Sequence, residues 1–448
     1  MTKIPNDALQ RLYAETNWTL SQFTRAINLV AGENGTPLKS NPSTVHHWLG
    51  GTLPQKEAVR RFIIEAICRR LQRPVTHAEA GFPPPADRSP ATTDTAEGMI
   101  ELGRQDMDPS RRAVLGAGLF SVALTIPGWQ DVIGRAEAMH AGRMSRIGMN
   151  EVEMVIAMTE RISDLDDQFG GRHARPMAAS FMVNTVAPYL RADAADEVRK
   201  AMLSAASDLA YLTGYMAVDE GVHGLAQRYY VMALELADAA DDHLTYCTTL
   251  RGMSVQAVDL RHGPKAMELA DAAAAAAASP KAGPRMFAFL AGQQAHAAAQ
   301  TGDRATALRK IREAESSMER AESRSRAFGS YDPSSLNYHV SQVRYELGDV
   351  AGSIEAMRQS DQLRCGVYRR ARVRHRATLA ERQLELGHLE AACATWHTAL
   401  DDFLMVQSGR ADDRIKAMFG LIRPHIKNPT ARDLYERART VAPPSLVA

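Results

Sequence analysis

The residues best suited to chemistry in this sequence are cationic and polar side chains arranged for binding. Six arginines fall within thirteen residues: Arg364, Arg369, Arg370, Arg372, Arg374 and Arg376. Guanidinium groups at this density can receive a carboxylate, a phosphate or a nucleic-acid backbone. They can equally form a solvated helix face that is paired with neighbouring acids. The sequence leaves three alternatives open for this segment: a solvated face, an anion or ligand site, and a contact with DNA.

Spacings typical of catalysis or metal binding are missing. The sequence contains no HExxH motif, no phosphate-binding P-loop and no GxSxG motif. The fourteen histidines have no metal-ligand spacing. Four widely spaced cysteines form no CxxC pair: Cys68, Cys247, Cys365 and Cys393. We therefore predict a non-enzymatic protein without cofactor or metal, located in the reducing environment of the cytoplasm.

The segment Asn41–Pro54 is the most informative stretch of the chain. Asn41 suits a helix N-cap, Pro42 suits the first turn, and Gly50-Gly51 predicts the end of the helix. Three apolar residues follow helical spacing and predict a small core: Val45, Trp48 and Leu49. Small polar side chains remain for the outer face: Ser43, Thr44, His46 and His47. A short helix with this outer face fits the major groove of DNA.

Residues 19–54 resemble the helix-turn-helix of the Cro/repressor-like (XRE) family. The matching positions are Ser43, Val45, Trp48, Gly51 and Pro54. The resemblance implies that double-stranded operator DNA is a partner. It implies base contacts by Ser43, Thr44 and His46, and phosphate or positioning contacts by Gln22, His47 and Thr52.

Local charge favours the same interpretation. The whole chain carries a formal net charge of only +1, so any nucleic-acid contact must come from a local patch. Residues 1–85 contain ten Lys and Arg against six acids, a balance of +4. Arg60-Arg61 and Arg69-Arg70 lie about two and a half turns apart on one predicted helix. This spacing predicts a clamp on the DNA backbone.

The elements that must position these residues are predicted to be helices. Alanine is abundant, aromatic residues make up 6% of the chain, and no long run alternates with a period of two. We predict an all-α protein, too long for a single core. Four regions are expected: a DNA-binding domain at 1–80, a flexible linker at 81–108, an apolar connecting region at 109–145, and a repeat domain for sensing and dimerisation at 146–440.

The connecting region contains a sequence, Ser110–Phe120, that looks like a twin-arginine export signal. A true signal lies at the N-terminus, and here about a hundred residues precede it. Its apolar run of about 15 residues is shorter than the ~20 that a membrane span needs. We predict that it docks on the repeat domain or forms a dimer interface, without membrane association.

Small residues recur along the second half of the chain at intervals of 40, 41, 46 and 39. They are Ala226, Ala266, Ala307, Ser353 and Ala392. Another small residue follows seven positions after each: Ala233, Ala273, Ala314, Ser360 and Ala399. A glycine-bearing turn precedes each helix, at Gly221, Gly263, Gly302, Gly348 and Gly387. This pattern predicts helical hairpins that stack into a right-handed superhelix with a concave inner face.

The recurrence resembles tetratricopeptide repeats over roughly residues 180–440. The layout of the whole chain is similar to actinobacterial regulators with an XRE head and a repeat domain. It is also similar to RRNPP regulators, which bind peptides in quorum sensing. The resemblance implies a homodimeric, repressor-type regulator that responds to a peptide or small molecule. The expected ligand contacts on the concave face are Asn184, Arg251, Gln294, Asn337, Gln342 and Arg372.

Two alternatives stay open for the function. The repeats could form a scaffold for a partner protein, or the chain could be a constitutive developmental regulator without a ligand.

Overall fold

The computed structural model describes residues 6–33, 37–71, 73, 75–83, 95–107, 146–277, 282–321 and 331–447. All regular secondary structure in these ranges is helical, which confirms the prediction of an all-α protein. None of the described helices is both long and apolar enough to cross a membrane. The predicted connecting region 109–145 lies outside the described residues.

The N-terminal unit contains four helices around a core of its own. They are α1 (Asp7–Glu15), α2 (Leu20–Glu33), α3 (Pro42–Leu49) and α4 (Glu57–Leu71). The apolar stripe of each helix is buried between them, with Phe23, Ile27 and Phe62 almost fully inaccessible to solvent. Burial of these stripes stabilises short helices that would be marginal alone.

Helix α5 (Thr95–Met107) corrects the predicted linker at 81–108. Its residues Met99 and Leu102 are buried in the core of the C-terminal region. The buried Asp106 carboxylate forms an ion pair with Arg175 and accepts a hydrogen bond of 2.9 Å from the Tyr229 hydroxyl. The linker prediction relied on low apolar periodicity. The buried contacts of Asp106 hold α5 against the C-terminal region, in addition to its buried apolar residues.

The C-terminal region continues the helical pattern. The helices are α6 (Met149–Phe169), α7 (Gly171–Phe181), α8 (Ala187–Leu190) after a π-helical turn at Met182–Val186, α9 (Asp196–Asp219), α10 (His223–Ala240), α11 (His243–Asp259), α12 (Gly263–Ala276), α13 (Gly283–Gln300), α14 (Arg304–Glu319), α15 (Pro333–Glu346), α16 (Val350–Leu363), α17 (Arg369–Glu385), α18 (Leu389–Phe403), α19 (Gly409–Ile422), α20 (Pro429–Val441) and α21 (Pro444–Val447). From α9 to α18 the helices pack in five consecutive hairpins.

Each hairpin has a seam of small residues. All ten small positions predicted on the second helices are fully buried. The first helices supply partners, also seven residues apart and buried: Ser207 and Gly214, Cys247 and Ser254, Ala288 and Ala295, Ser334 and Ser341, Val373 and Ala380. The Ser254 hydroxyl donates to the Ala266 carbonyl at 2.8 Å, and Ser341 donates to Ser353 at 2.7 Å. Small side chains let the helices of each hairpin approach closely.

The turns within the hairpins differ from the prediction at one position. Gly221, Gly302, Gly348 and Gly387 have positive φ, as expected of turn glycines. In the turn before α12, Arg261 takes this conformation (φ 63°), and Gly263 is the first residue of the helix. A Cβ on Gly263 would lie 3.1 Å from Thr301 Cγ2, so this glycine serves close packing.

The array curves until its two ends meet. The Gln407 N–H, just before α19, donates to the Phe169 carbonyl at the end of α6 at 2.6 Å. The Gln407 carbonyl accepts from the Arg172 N–H at 3.2 Å, and the Arg172 side chain pairs with Asp412 at 2.9 Å. Gly170 sits at this junction with φ +91°. The first helices of the hairpins therefore surround a central space.

Candidate functional site

Helix α3 presents the face predicted to read DNA. The Asn41 side chain accepts a hydrogen bond from the Thr44 N–H at 2.8 Å, which is the predicted N-cap. Val45 and Leu49 are buried, Trp48 is half-buried against the same core, and Gly50 follows the last helical residue. This anchoring leaves the side chains of Ser43, His46 and His47 exposed on the outer face.

The other predicted DNA contacts have local structural roles as well. Half-buried Thr44 also donates its hydroxyl to Asn41 Oδ1 at 3.0 Å. The exposed Gln22 side chain accepts from the Thr19 N–H at 2.8 Å and so caps α2. The Thr52 N–H donates to the His47 carbonyl at 2.9 Å and closes the turn after α3.

The predicted arginine clamp on α4 is divided between two environments. Arg60 is half-buried, and half-buried Arg61 pairs with Glu57 on its own helix. Arg69 bonds Glu33 at 2.6 Å and Glu65 at 2.9 Å, and these contacts join α4 to α2. Arg70 donates to the Thr16 carbonyl at 2.9 Å. The Arg69-Arg70 pair therefore holds the N-terminal unit together, because partly buried acids neutralise Arg69 and a carbonyl receives Arg70.

The second candidate site is the space that the hairpin array surrounds, which we call the central cavity. It has a volume of about 190 Å³ and is lined by α6, α9, α11, α13, α15, α17 and the start of α19. Aromatic rings form much of its wall: Tyr211, Tyr215, Phe289, Tyr331, Tyr338 and Tyr368. The cavity belongs to the fold as a whole, since successive hairpins each contribute one inner helix.

Hydrogen bonds and stacking fix the rings in the cavity. The Tyr331 hydroxyl and His339 Nδ1 are 2.8 Å apart. Tyr338 stacks on His375 with ring centroids 4.3 Å apart and accepts a hydrogen bond of 2.8 Å from Arg374. Burial lowers the pKa of His339 and of His375 well below the ordinary histidine value. These histidines are therefore neutral near pH 7 and add no positive charge to the cavity.

Five arginines line the cavity, and they fall into two groups. Arg370 bonds Asp166 at 3.0 Å and Asp167 at 3.1 Å, and Arg410 pairs with Asp259. The other group consists of Arg251, Arg364 and Arg374. For this second group, the described residues place no carboxylate oxygen within 4.0 Å of a guanidinium nitrogen.

Of the predicted concave-face residues, Arg251 lines the central cavity, and Gln342 lines an adjoining cavity that shares Tyr338 and Arg374 with it. The other four do not line the central cavity. Exposed Asn184 donates to Ser180, Gln294 to Asp271, and Asn337 to the Pro333 carbonyl. Gln342 accepts from Arg382, and Arg372 bonds Asp402 at 3.1 Å. These residues were predicted from the polar type of their side chains alone, but only one face of each inner helix lines the cavity.

The arginine segment 364–376 faces two environments. Arg364, Arg370 and Arg374 line the cavity. On the opposite side of α17, Arg372 and Arg376 bond Asp402, each at 3.1 Å, and half-buried Arg369 is not among the lining residues.

One signal for the inner face was available in the sequence. In the first hairpin, Tyr211 and Tyr215 lie four and eight residues after the seam residue Ser207 and line the cavity. In the second hairpin, Arg251 and Val255 have the same spacing from Cys247 and also line it.

His296 provides a pH-dependent test of this buried environment. Burial lowers the pKa of His296 to about 4, whereas an unfolded chain gives about 6.5. As the pH falls, the unfolded state therefore binds the proton before the folded state does. The contribution of neutral His296 to stability is complete above pH 6.5 and is lost as the pH falls toward 4. Relative to His296→Gln, we expect the wild type to lose up to about 3 kcal/mol between pH 7 and 4. Urea unfolding of both proteins at several pH values measures this. A difference that does not change with pH would contradict the assignment.

Comparison with known proteins bears on the N-terminal unit. Residues 9–83 match a family model described as the SP15 N-terminal domain. The matched range spans most of α1 and all of α2, α3 and α4, and it ends before α5. No curated protein matches the chain.

Proposed function

We propose that this protein is a DNA-binding transcriptional regulator whose activity depends on a ligand of the repeat domain. In this proposal the N-terminal unit is a helix-turn-helix of the XRE type, and α3 enters the major groove of double-stranded DNA. The hairpin array is a tetratricopeptide-like sensor, and the protein acts in the cytoplasm as a homodimeric repressor. The ligand is a peptide or a small molecule.

One observation carries the proposal: α3 is anchored by Val45 and Leu49, while Ser43, His46 and His47 project together into solvent. A helix that serves only the core would gain nothing from two exposed imidazoles beside a small hydroxyl. Such groups donate and accept hydrogen bonds at base edges and phosphates. Exposed Lys39 and Lys56 flank this helix in sequence and supply positive charge for the DNA backbone.

The double variant Ser43→Ala/His46→Ala tests this role. Both side chains are exposed, so we expect thermal stability to change little. Loss of two base contacts, at about 1–3 kcal/mol each, is expected to weaken specific DNA binding at least tenfold. Genomic fragments that the full-length protein binds are selected first, and affinity for them is then measured by fluorescence anisotropy.

A matched control carries the same substitutions outside the N-terminal unit, Ser316→Ala/His388→Ala. Both positions are exposed in the repeat region. We expect wild-type DNA affinity for this control. Wild-type affinity in Ser43→Ala/His46→Ala as well would rule out α3 as the reading helix.

A scaffold for a partner protein is the second candidate, and exposed apolar residues of α6 favour it. Met149, Met154, Ile156 and Met158 are each more than a third exposed. Met149 and Ile156 share one side of the helix, and Met154 and Met158 share another. Exposed apolar side chains of this kind can contact a partner protein or a second copy of this chain. Salt separates the two candidates, because DNA affinity that rests on phosphate contacts falls steeply with salt concentration. Weak binding that is independent of salt would favour the scaffold.

A further inference from the structure

We propose that the central cavity binds a compact anion that carries a planar ring, such as a monocyclic aromatic acid. This inference builds on the proposed function, since it names the chemical class of the ligand that would regulate DNA binding. The binding itself requires no DNA and can be tested separately.

Five aspartates and five arginines line the cavity, and the three arginines that have no carboxylate partner in the described part of the chain favour an anion. Arg251, Arg364 and Arg374 line it without a carboxylate within 4.0 Å among the described residues, and the Nε atoms of Arg251 and Arg364 are buried without a hydrogen-bond partner. Burial lowers the pKa of Arg364, as expected for a guanidinium whose charge is poorly compensated. Unpaired buried charges are unfavourable, so a ligand that supplies the missing negative charge gains this energy on binding.

The acidic residues of the cavity are already engaged. Asp166, Asp167 and Asp219 surround the guanidinium of Arg370 at 3.0, 3.1 and 3.6 Å. Asp332 accepts the Ser335 N–H at 2.7 Å and caps α15. A cationic ligand would compete with these partners, whereas an anion meets the Nε atoms of Arg251 and Arg364, which have no hydrogen-bond partner among the described residues.

The size and walls of the cavity select for a single ring. An apolar cavity of about 150 Å³ holds one benzene molecule, so about 190 Å³ accommodates one ring with an acidic substituent. Phe289 lies under the Arg251 guanidinium at 4.0 Å and packs on Tyr331 with ring centroids 5.3 Å apart. These rings give the cavity an apolar wall, which a planar ligand can contact while its acid group reaches the arginines.

The experiment uses the full-length protein and pairs of ligands that differ in charge and not in shape. Benzoate, salicylate and phenylacetate are compared with benzamide, salicylamide and phenylacetamide. We expect at least one acid to raise the melting temperature in a concentration-dependent manner, while its amide at the same concentration does not. Isothermal titration calorimetry then measures the Kd of that acid.

Arg251→Met is expected to weaken binding of the acid at least tenfold, because one charge-assisted contact is lost. Arg358→Met is the control: Arg358 is exposed on α16, and wild-type binding is expected. Without ligand, Arg251→Met should melt close to the wild-type temperature, since the lost cation–π contact with Phe289 offsets removal of a buried charge that has no carboxylate partner. Arg364→Met provides a second variant with the same two expectations.

Three results would overturn the proposal: no acid that shifts the melting temperature, equal shifts by acids and amides, or arginine variants that melt lower without ligand and bind the acid normally. The affinity of the ligand-free protein for its selected DNA fragments is measured independently. Failure of the cavity proposal therefore leaves DNA binding intact, and failure of DNA binding leaves the titration with the acid interpretable.

Discussion

Arg370→Leu is expected to destabilise the protein by about 3–5 kcal/mol at pH 8.5, because it leaves buried carboxylates without their cation. Arg370 is 7% exposed, and its partners Asp166 and Asp219 are 2% and 1% exposed. These residues come from three helices, α17, α6 and α9, so the ion cluster joins the end of the array to its beginning.

The effect of Arg370→Leu should depend on pH in a defined direction. Burial raises the pKa of Asp166 to about 8, and Arg370 opposes this rise. Removing the arginine therefore raises the carboxyl pKa further above its unfolded value of about 4. A carboxyl group whose pKa is higher in the folded state than in the unfolded state contributes fully to the free energy of unfolding below the unfolded pKa. This contribution is lost as the pH increases. Because Asp166 in the wild type ionises only near pH 8, we expect its share of the loss to appear as the pH rises through 8, so that the loss is smaller at pH 4.5 than at pH 8.5.

Urea unfolding of wild type and variant at both pH values measures these differences, and Arg372→Leu is the matched control. Arg372 lies on the same helix but on its opposite side, where it bonds Asp402 with partial exposure. Its loss should cost about 1 kcal/mol or less. An equal loss at both pH values for Arg370→Leu would show that the guanidinium acts through packing alone.

Gly170→Ala is expected to open the junction between the ends of the array or destabilise it by about 3–5 kcal/mol. Gly170 has φ +91° and ψ 163°, a backbone region that is essentially restricted to glycine. A Cβ there would lie 2.7 Å from the Gln407 carbonyl carbon and closer still to its oxygen. Because backbone lies on the other side of the contact, no side-chain rotation can relieve the clash.

Two measurements distinguish opening from simple destabilisation. Urea unfolding gives the free energy, and small-angle X-ray scattering gives the radius of gyration, which should increase if the ends separate. Gly420→Ala is the control, since Gly420 is exposed within α19, lacks positive φ and has nothing within 4 Å of a Cβ. That variant should gain up to about 1 kcal/mol. Wild-type stability and size in Gly170→Ala would mean that the junction contributes nothing.

The junction also bears on how a ligand could act. The cavity lies between helices that are widely separated in sequence, and its closure depends on Arg370 and Gly170. A ligand that binds the closed array more tightly than the open one shifts the equilibrium by that difference in affinity. In the proposed homodimer, such a shift would change the placement of the N-terminal units.

Local patterns carried the most reliable predictions from sequence. The N-cap at Asn41, the helix that follows and its apolar stripe depend on neighbours within four residues, so they could be predicted without tertiary information. The seam of small residues in the hairpins was also visible, because each hairpin repeats the same packing at similar intervals. Even there, Arg261 rather than the predicted Gly263 takes the positive φ in the turn before α12.

The sequence by itself therefore determined the helical class, the anchored surface helix near the N-terminus and the hairpins of the second half. The tertiary structure decided which polar side chains meet. It placed Arg251 and Arg374 on one wall, paired Arg372 outward with Asp402, and brought Asp166 against Arg370 across about two hundred residues of chain. The physical reason is the curvature of the array, because small rotations between neighbouring hairpins add up along it. The spacing of residues in the sequence does not reveal the total rotation and so does not predict which distant side chains meet.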